Sequence, residues 1–257
     1  MSASRADGSG LRGFESLSLQ FVILMDYKDV ISELRSVSNA DPSNLERMYT
    51  KFGVDTKNAL GIPVPMLRHL AKGLGVDHRL ALRLWSSKIH EAMELAAMIE
   101  DPKFVTQEQM ESWVRDFHSW DVCDGCCANL FVRTPFAYKK AVEWSKRNEE
   151  FIKRAGFVLM ALLAVHDKAA DDKKFERFLP LIKKGSSDGR NFVKKAVNWA
   201  LRQIGKRNVR LNKLAIATAY ELKSLDSAAA RWIASDALRE LINSKLIKRL
   251  EHQKLSH

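Results

Sequence analysis

Trp120 and Asp124 stand one helical turn apart in Ser119-Trp-Asp-Val-Cys-Asp124, so one edge of a helix offers an aromatic face and a carboxylate together. Ala128, one turn further on, is small and leaves space beside that carboxylate. In a chain of net charge +11 a polyanionic partner is expected. A carboxylate weakens binding to phosphate, so its place beside such a surface points to chemistry done there. The simpler reading is a core indole and a solvated helix charge. On the same wheel Val122, Cys123, Cys126, Cys127 and Leu130 form the adjoining arc and face the core.

A second segment, Asn191-Phe-Val-Lys-Lys-Ala-Val-Asn-Trp199-Ala-Leu-Arg202, places Phe192, Val193, Ala196, Val197, Leu201 and Ile204 on a core stripe. Lys195 and Arg202 lie beyond one margin, beside Lys194, and Trp199 sits on that margin. An indole between a packed face and cations could touch a base or sugar while the cations hold phosphates; it could equally cover the border of a core. Lys153-Arg154 opens a strongly apolar helix, where cations oppose the helix dipole. Either an external phosphate or an intrachain carboxylate such as Glu149 or Glu150 would resolve that conflict. Cys123-x-x-Cys126-Cys127 with His118 nearby contains metal-ligand types, but one helix with no second paired cluster does not supply a tetrahedral set, and no metal is expected. No glycine motif that cradles phosphates is present, so nucleoside triphosphate hydrolysis and a nucleotide cofactor are not expected.

The elements that must carry these side chains are helices throughout. Apolar residues recur at helical spacing nearly everywhere, and no stretch alternates as a strand does. Helices are expected over 26–37, 43–52, 64–74, 78–87, 89–100, 106–116, 119–131, 135–147, 149–166, 171–184, 189–206, 209–224 and 227–249. Ser43, Thr106 and Ser119 suit N-caps, Pro42 and Pro135 helix starts, and Gly53, Gly75 and Gly185 helix ends. Many short helices on short turns describe stacked hairpins, and a pair with its turns takes about 35 to 45 residues, as in HEAT-like arrays. The segment Phe157 to Val165 is apolar all round and is expected to be buried on every side. The expected fold is all-α, a curved solenoid with a basic concave face, with a compact bundle as the alternative.

Charge is unevenly spread. From Arg133 to Lys213 there are 21 Lys and Arg against 8 Asp and Glu, a net of +13, while the rest of the chain carries 21 against 23. The three cysteines cluster within five residues instead of forming a spaced disulfide framework, which fits a reducing cytoplasm. No apolar run approaches the ~20 residues that span a bilayer. Residues 1–24 lack the basic start and cleavage site of a signal peptide and are expected to be a disordered extension, with Met25 an equally good start. Residues 25–257 are then expected to form one helical-repeat domain. No heptad seam runs far enough to suggest an oligomer, and a monomer is expected.

Three segments, Ser119-Trp-Asp-Val-Cys-Asp124, Phe151-Ile-Lys-Arg154-Ala and Phe192-Val-Lys-Lys-Ala-Val-Asn-Trp199-Ala-Leu-Arg202, resemble the AlkD-like family of DNA alkylation repair glycosylases, built from HEAT-like repeats. Tyr49 and Leu60-Gly-Ile-Pro-Val-Pro65 are similar to the family's amino-terminal repeat. The resemblance runs from about Met25 to the last helices. It implies a monofunctional glycosylase that removes cationic N3- and N7-alkylated purines from double-stranded DNA, without cofactor, metal or membrane, in the cytoplasm or at a bacterial nucleoid. By motif position Asp124 would be the catalytic carboxylate, Trp120, Trp199 and Tyr49 would contact the lesion-bearing nucleotide, and Arg154 would contact phosphate, with Lys153, Lys194, Lys195 and Arg202 as further phosphate-binding residues. An alkylated purine is already a good leaving group, so one carboxylate suffices to stabilise the sugar oxocarbenium ion and orient water. Two departures stand out: Ser119 replaces the second tryptophan found in many relatives, and the stretch between Tyr49 and Gly61 is longer than in some. Since some relatives lack glycosylase activity, a non-catalytic binder of damaged or distorted DNA is the alternative, and a repeat scaffold for proteins a third.

Overall fold

The computed structural model describes residues 25–39 and 41–255, and every regular element among them is helical. The expected extension over residues 1–24 lies outside the described residues. Backbone packing divides the chain into two compact units, Met1–Val105 and Thr106–His257.

In the first unit α1 (Tyr27–Ser36), α2 (Pro42–Arg47), α3 (Val64–Leu74), α4 (His78–Ser86) and α5 (His90–Ile99) pack as short hairpins, α5 against both α3 and α4. Asp26 opens α1 through a capping box with Asp29. Asp41, not Ser43, caps α2: its carboxylate accepts from the Asn44 N–H, and Pro42 follows as a first-turn residue. The expected single helix over 43–52 changes at Met48 into a π-helical turn, Met48–Phe52, closed by Gly53 at φ +66°. In the long loop that follows, buried Glu91 of α5 accepts the backbone N–H groups of Leu60 and Gly61 at 2.7 Å and of Ile62 at 3.2 Å. Gly61 has φ +70°, and a Cβ there would stand 2.4 Å from the Asn39 carbonyl oxygen, so the Leu60-Gly-Ile turn requires glycine.

The second unit contains α6 (Gln107–Arg115), α7 (Trp120–Asn129), α8 (Ala137–Trp144), α9 (Glu150–His166), α10 (Asp172–Glu176), α11 (Leu179–Gly185), α12 (Asn191–Gly205), α13 (Val209–Lys223), α14 (Ala228–Leu241) and α15 (Ser244–Leu255). One row runs α7, α9, α12, α14, each packed on the next, while α8 backs α9 and α13 backs both α12 and α14. That placement explains α9. With neighbours in its own row and α8 behind, Ala155 to Ala164 are all buried, as the all-round apolar pattern over Phe157 to Val165 requires, except that Val165 itself is half-buried. Gly156 lets α9 approach the end of α8, since a Cβ there would meet the Ser145 backbone nitrogen at 2.3 Å.

Further expected boundaries change, among them the helix expected over 119–131, which ends at Asn129, and that expected from Pro135, which starts at Ala137. The helix expected over 171–184 breaks into α10 and α11, because Pro180 sits in the first turn of a new helix. That expected over 227–249 breaks near Asn243, whose side chain accepts from the Lys245 N–H. Gly185 is the last helical residue, with Ser186 as the C-cap. Thr106 caps α6 as expected, whereas Ser119 holds the N-cap position of α7 without a side-chain capping bond.

Candidate functional site

The α7 surface divides as its wheel requires. Cys123, Cys126 and Cys127 are buried, Trp120 and Asp124 are half-buried, and Ala128 is exposed. Burial pushes the Cys123 and Cys127 thiols up from their ordinary value, so they stay neutral core groups.

Asp124 faces α9, and Arg154 meets it in a bidentate pair, Nε to Oδ1 at 2.8 Å and Nη2 to Oδ2 at 2.7 Å. Nη1 of Arg154 donates to the Phe192 carbonyl at 2.6 Å, which ties α12 to the same pair. The Arg154 side chain is 7% exposed and that of Asp124 21%, so the carboxylate is the accessible member. Burial raises the Asp124 carboxyl from its ordinary value, and the hydrogen bonds and charge of Arg154 oppose that rise. Burial likewise opposes the Arg154 charge, but Asp124 outweighs it and holds the guanidinium above its ordinary range. The arrangement holds a carboxylate against a guanidinium in a mostly buried place, with both its oxygens fixed by charge-assisted hydrogen bonds.

Lys153, next in sequence, turns elsewhere. Its ammonium lies 2.9 Å from Asp188, which also receives Arg190 in a bidentate pair. The first-turn cations of α9 are thus answered by Asp124 and Asp188, not by Glu149 or Glu150; Glu149 instead pairs with Arg147. The Asp188 carboxyl is held well below its ordinary value, first by Arg190 and, against burial, also by Lys153.

On α12 the core stripe stands, with Val193, Ala196, Val197, Leu201 and Ile204 buried and Phe192 half-buried against Phe151, ring centroids 5.5 Å apart. Trp199 is half-buried, two turns along the face from Phe192, which is about 10 Å of helix. With the Gln203 amide oriented so that its oxygen faces donors, that oxygen accepts from Trp199 Nε1 at 2.9 Å. Arg202 is half-buried and bound to Glu240 at 2.8 Å. Lys195 is exposed, and Lys194 lies over the Trp232 ring, 4.8 Å from its centroid. Tyr49 belongs to the first unit, in the π-helical turn, and is 64% exposed.

The structure therefore joins Asp124 to Arg154 directly and sets Trp120 one turn from the pair. It separates Lys153 and Arg202, each held by a carboxylate, from Lys194 and Lys195, which have no carboxylate partner among the described residues. Sequence reasoning missed Asp188, Gln203, Trp232 and Glu240. Only Gln203 had a local signal, its position four residues after Trp199.

Residues 30–241 match the family described as DNA alkylation repair enzyme. No match was found among curated proteins. One solved structure, described as a new family of proteins related to the HEAT-like repeat DNA glycosylases with affinity for branched DNA structures, aligns with a TM-score of 0.69 at 22% identity, over 84% of this chain and 96% of that one. That likeness agrees with the all-α HEAT-like repeat architecture read from the sequence. Two designed armadillo repeat proteins align at 13% and 15% identity with TM-scores of 0.39, each over 87% of this chain and over 97% and 98% of their own.

Proposed function

We propose a function from one premise: this chain belongs to the DNA alkylation repair enzyme family. It is a DNA glycosylase that hydrolyses the N-glycosidic bond of cationic N3- or N7-alkylated purines in duplex DNA. The observation that carries this reading is the seat of Asp124: a carboxylate fixed by a bidentate guanidinium, 21% exposed, one turn from a half-buried indole.

The reaction asks little of the protein. As the bond from the anomeric carbon to the purine nitrogen breaks, its electron pair neutralises the cationic base, which leaves without a proton. The sugar becomes an oxocarbenium ion, and an ionised carboxylate nearby stabilises it while orienting water toward the anomeric carbon. Water adds there and its proton passes to Asp124 or solvent, leaving free base and an abasic site. Trp120 and Trp199 contact the lesion-bearing nucleotide, and an indole face adds about 0.5 to 2 kcal/mol of attraction for a cationic sugar.

Arg154 is first a positioning residue in this scheme. Three of its five N–H groups go to Asp124 and Phe192, and a phosphate has the other two to share. Lys194 and Lys195 are the phosphate ligands of α12; Lys153 and Arg202 reach phosphate only by sharing their carboxylate partners.

The same pair also favours a second reading, a non-catalytic binder of distorted DNA. The Arg154 charge offsets much of the field Asp124 could direct at a sugar cation, and the structural neighbour is described as having affinity for branched DNA structures. One assay separates the two. Methylated duplex DNA incubated with the protein releases free 7-methylguanine or 3-methyladenine if the first reading holds; salt-sensitive binding with no released base replaces it with the second.

A further inference from the structure

We infer that Trp232 and Lys194 form a platform for an unpaired nucleotide, the indole stacking on its base and the ammonium holding its phosphate. The inference rests on the reading of this chain as a DNA-binding protein and adds a class of ligand to it.

The two side chains are brought together by the parallel rungs of α12 and α14. Lys194, Asn198 and Arg202 follow one another at four-residue spacing on α12; Trp232, Asp236 and Glu240 do the same on α14. Each faces its counterpart: Lys194 over Trp232, Asn198 to Asp236 at 2.7 Å, Arg202 to Glu240 at 2.8 Å. Only the first rung lacks an acid. Its indole is 41% exposed, outside the buried stripe of Ala230, Ile233, Ala234, Ala237 and Leu241 that holds α14 in place, so the core does not require an aromatic ring there. Lys194 retains three N–H donors with no carboxylate to take them among the described residues, and exposed Lys195 adds a second cation on the next residue.

An exposed ring beside uncommitted cations suits a single strand better than a duplex. Bases inside a duplex already stack on each other and hide their faces, whereas an unpaired base has a face to offer any ring. On the following turns Arg202 and Lys206 are committed to Glu240 and Arg239 to Asp236, so the open cations are confined to one rung. A localised extruded or unpaired nucleotide fits it, and a long strand running along α14 does not.

The test compares two oligonucleotides of the same sequence, one fully paired and one carrying a single-stranded segment, with wild type, Trp232→Ala and Trp232→Phe. Loss of one stacked base weakens binding about tenfold. Trp232→Ala is expected to lose about that much for the DNA with the unpaired segment and little for the duplex, with Trp232→Phe retaining most of the affinity and base release from paired methylated DNA unchanged. Equal losses on both DNAs, or no loss on either, overturn the platform while leaving DNA binding intact. Wild type that binds neither DNA overturns both readings.

Discussion

The α7–α9 contact and the amino-terminal end of α12 spend positive charge in opposite ways. In the first, Arg154 gives its charge to Asp124 and Lys153 gives its own to Asp188, and the Arg154 side chain is 7% exposed. In the second, Lys194 and Lys195 face an indole and solvent, with no acid opposite. All four cations lie within the basic stretch from Arg133 to Lys213, yet Lys153 and Arg154 are committed to carboxylates while Lys194 and Lys195 are open. Regional net charge therefore overstates the ground available to DNA. On the proposed function, a committed cation fixes a carboxylate for chemistry and an open one serves binding.

The contrast is broken most severely at Arg154. Arg154→Met leaves Asp124 without its partner, and the expected loss of stability is about 3 kcal/mol, the low end for a buried pair because Asp124 keeps some exposure; chemical denaturation reads it. A loss under about 0.5 kcal/mol would show the pair to be idle.

At the open end the expectation reverses. Lys194→Glu with Lys195→Glu should leave stability within about 0.5 kcal/mol of wild type and lower the slope of log affinity against log salt by about 1.8, two phosphates' worth. Arg202→Gln supplies the control on the same helix: it removes one of the two cations on Glu240 and leaves the other, Lys206, so stability falls modestly while the salt slope holds. If Arg202→Gln changes the slope as much as the lysine pair does, the distinction between committed and open cations fails.

Acid titration separates the two carboxylates of the committed region. Asp188 has its folded pKa depressed, so its contribution to stability is complete above its ordinary value of 3.8 and is lost as pH falls below that. Asp188→Asn should flatten acid destabilisation in that range. Asp124 is shifted the other way by burial, so the acid limb of base release should lie above 3.8. An acid limb at or below that value would remove Asp124 from the rate.

Much of this was legible in the sequence, for reasons tied to particular residues. Helical periodicity found α9 and the α12 stripe because each helix is packed on a fixed arc, and Thr106, Pro42 and Gly53 marked ends through local backbone chemistry. The pairing of Asp124 with Arg154 was not legible, nor that of Lys153 with Asp188. These partners lie 30 and 35 residues apart and meet only once helices stack, whereas a helical wheel reports one helix at a time. Lys194 was grouped with Arg202 for the same reason, although α14 sets an indole against one and a carboxylate against the other. The break near Asn243 carries no proline or glycine; its local signal was the asparagine itself, a residue type that caps a following helix.

The central claim, that Asp124 does the chemistry, is met most directly by single-turnover release of 7-methylguanine from methylated duplex by wild type and Asp124→Asn. Folding of both proteins is checked by denaturation, and DNA binding is measured alongside. The account predicts a rate at least about a hundredfold lower in the variant, the scale of a lost electrostatic stabiliser, with the protein folded and its DNA affinity retained. A folded Asp124→Asn protein that releases base at the wild-type rate would contradict it.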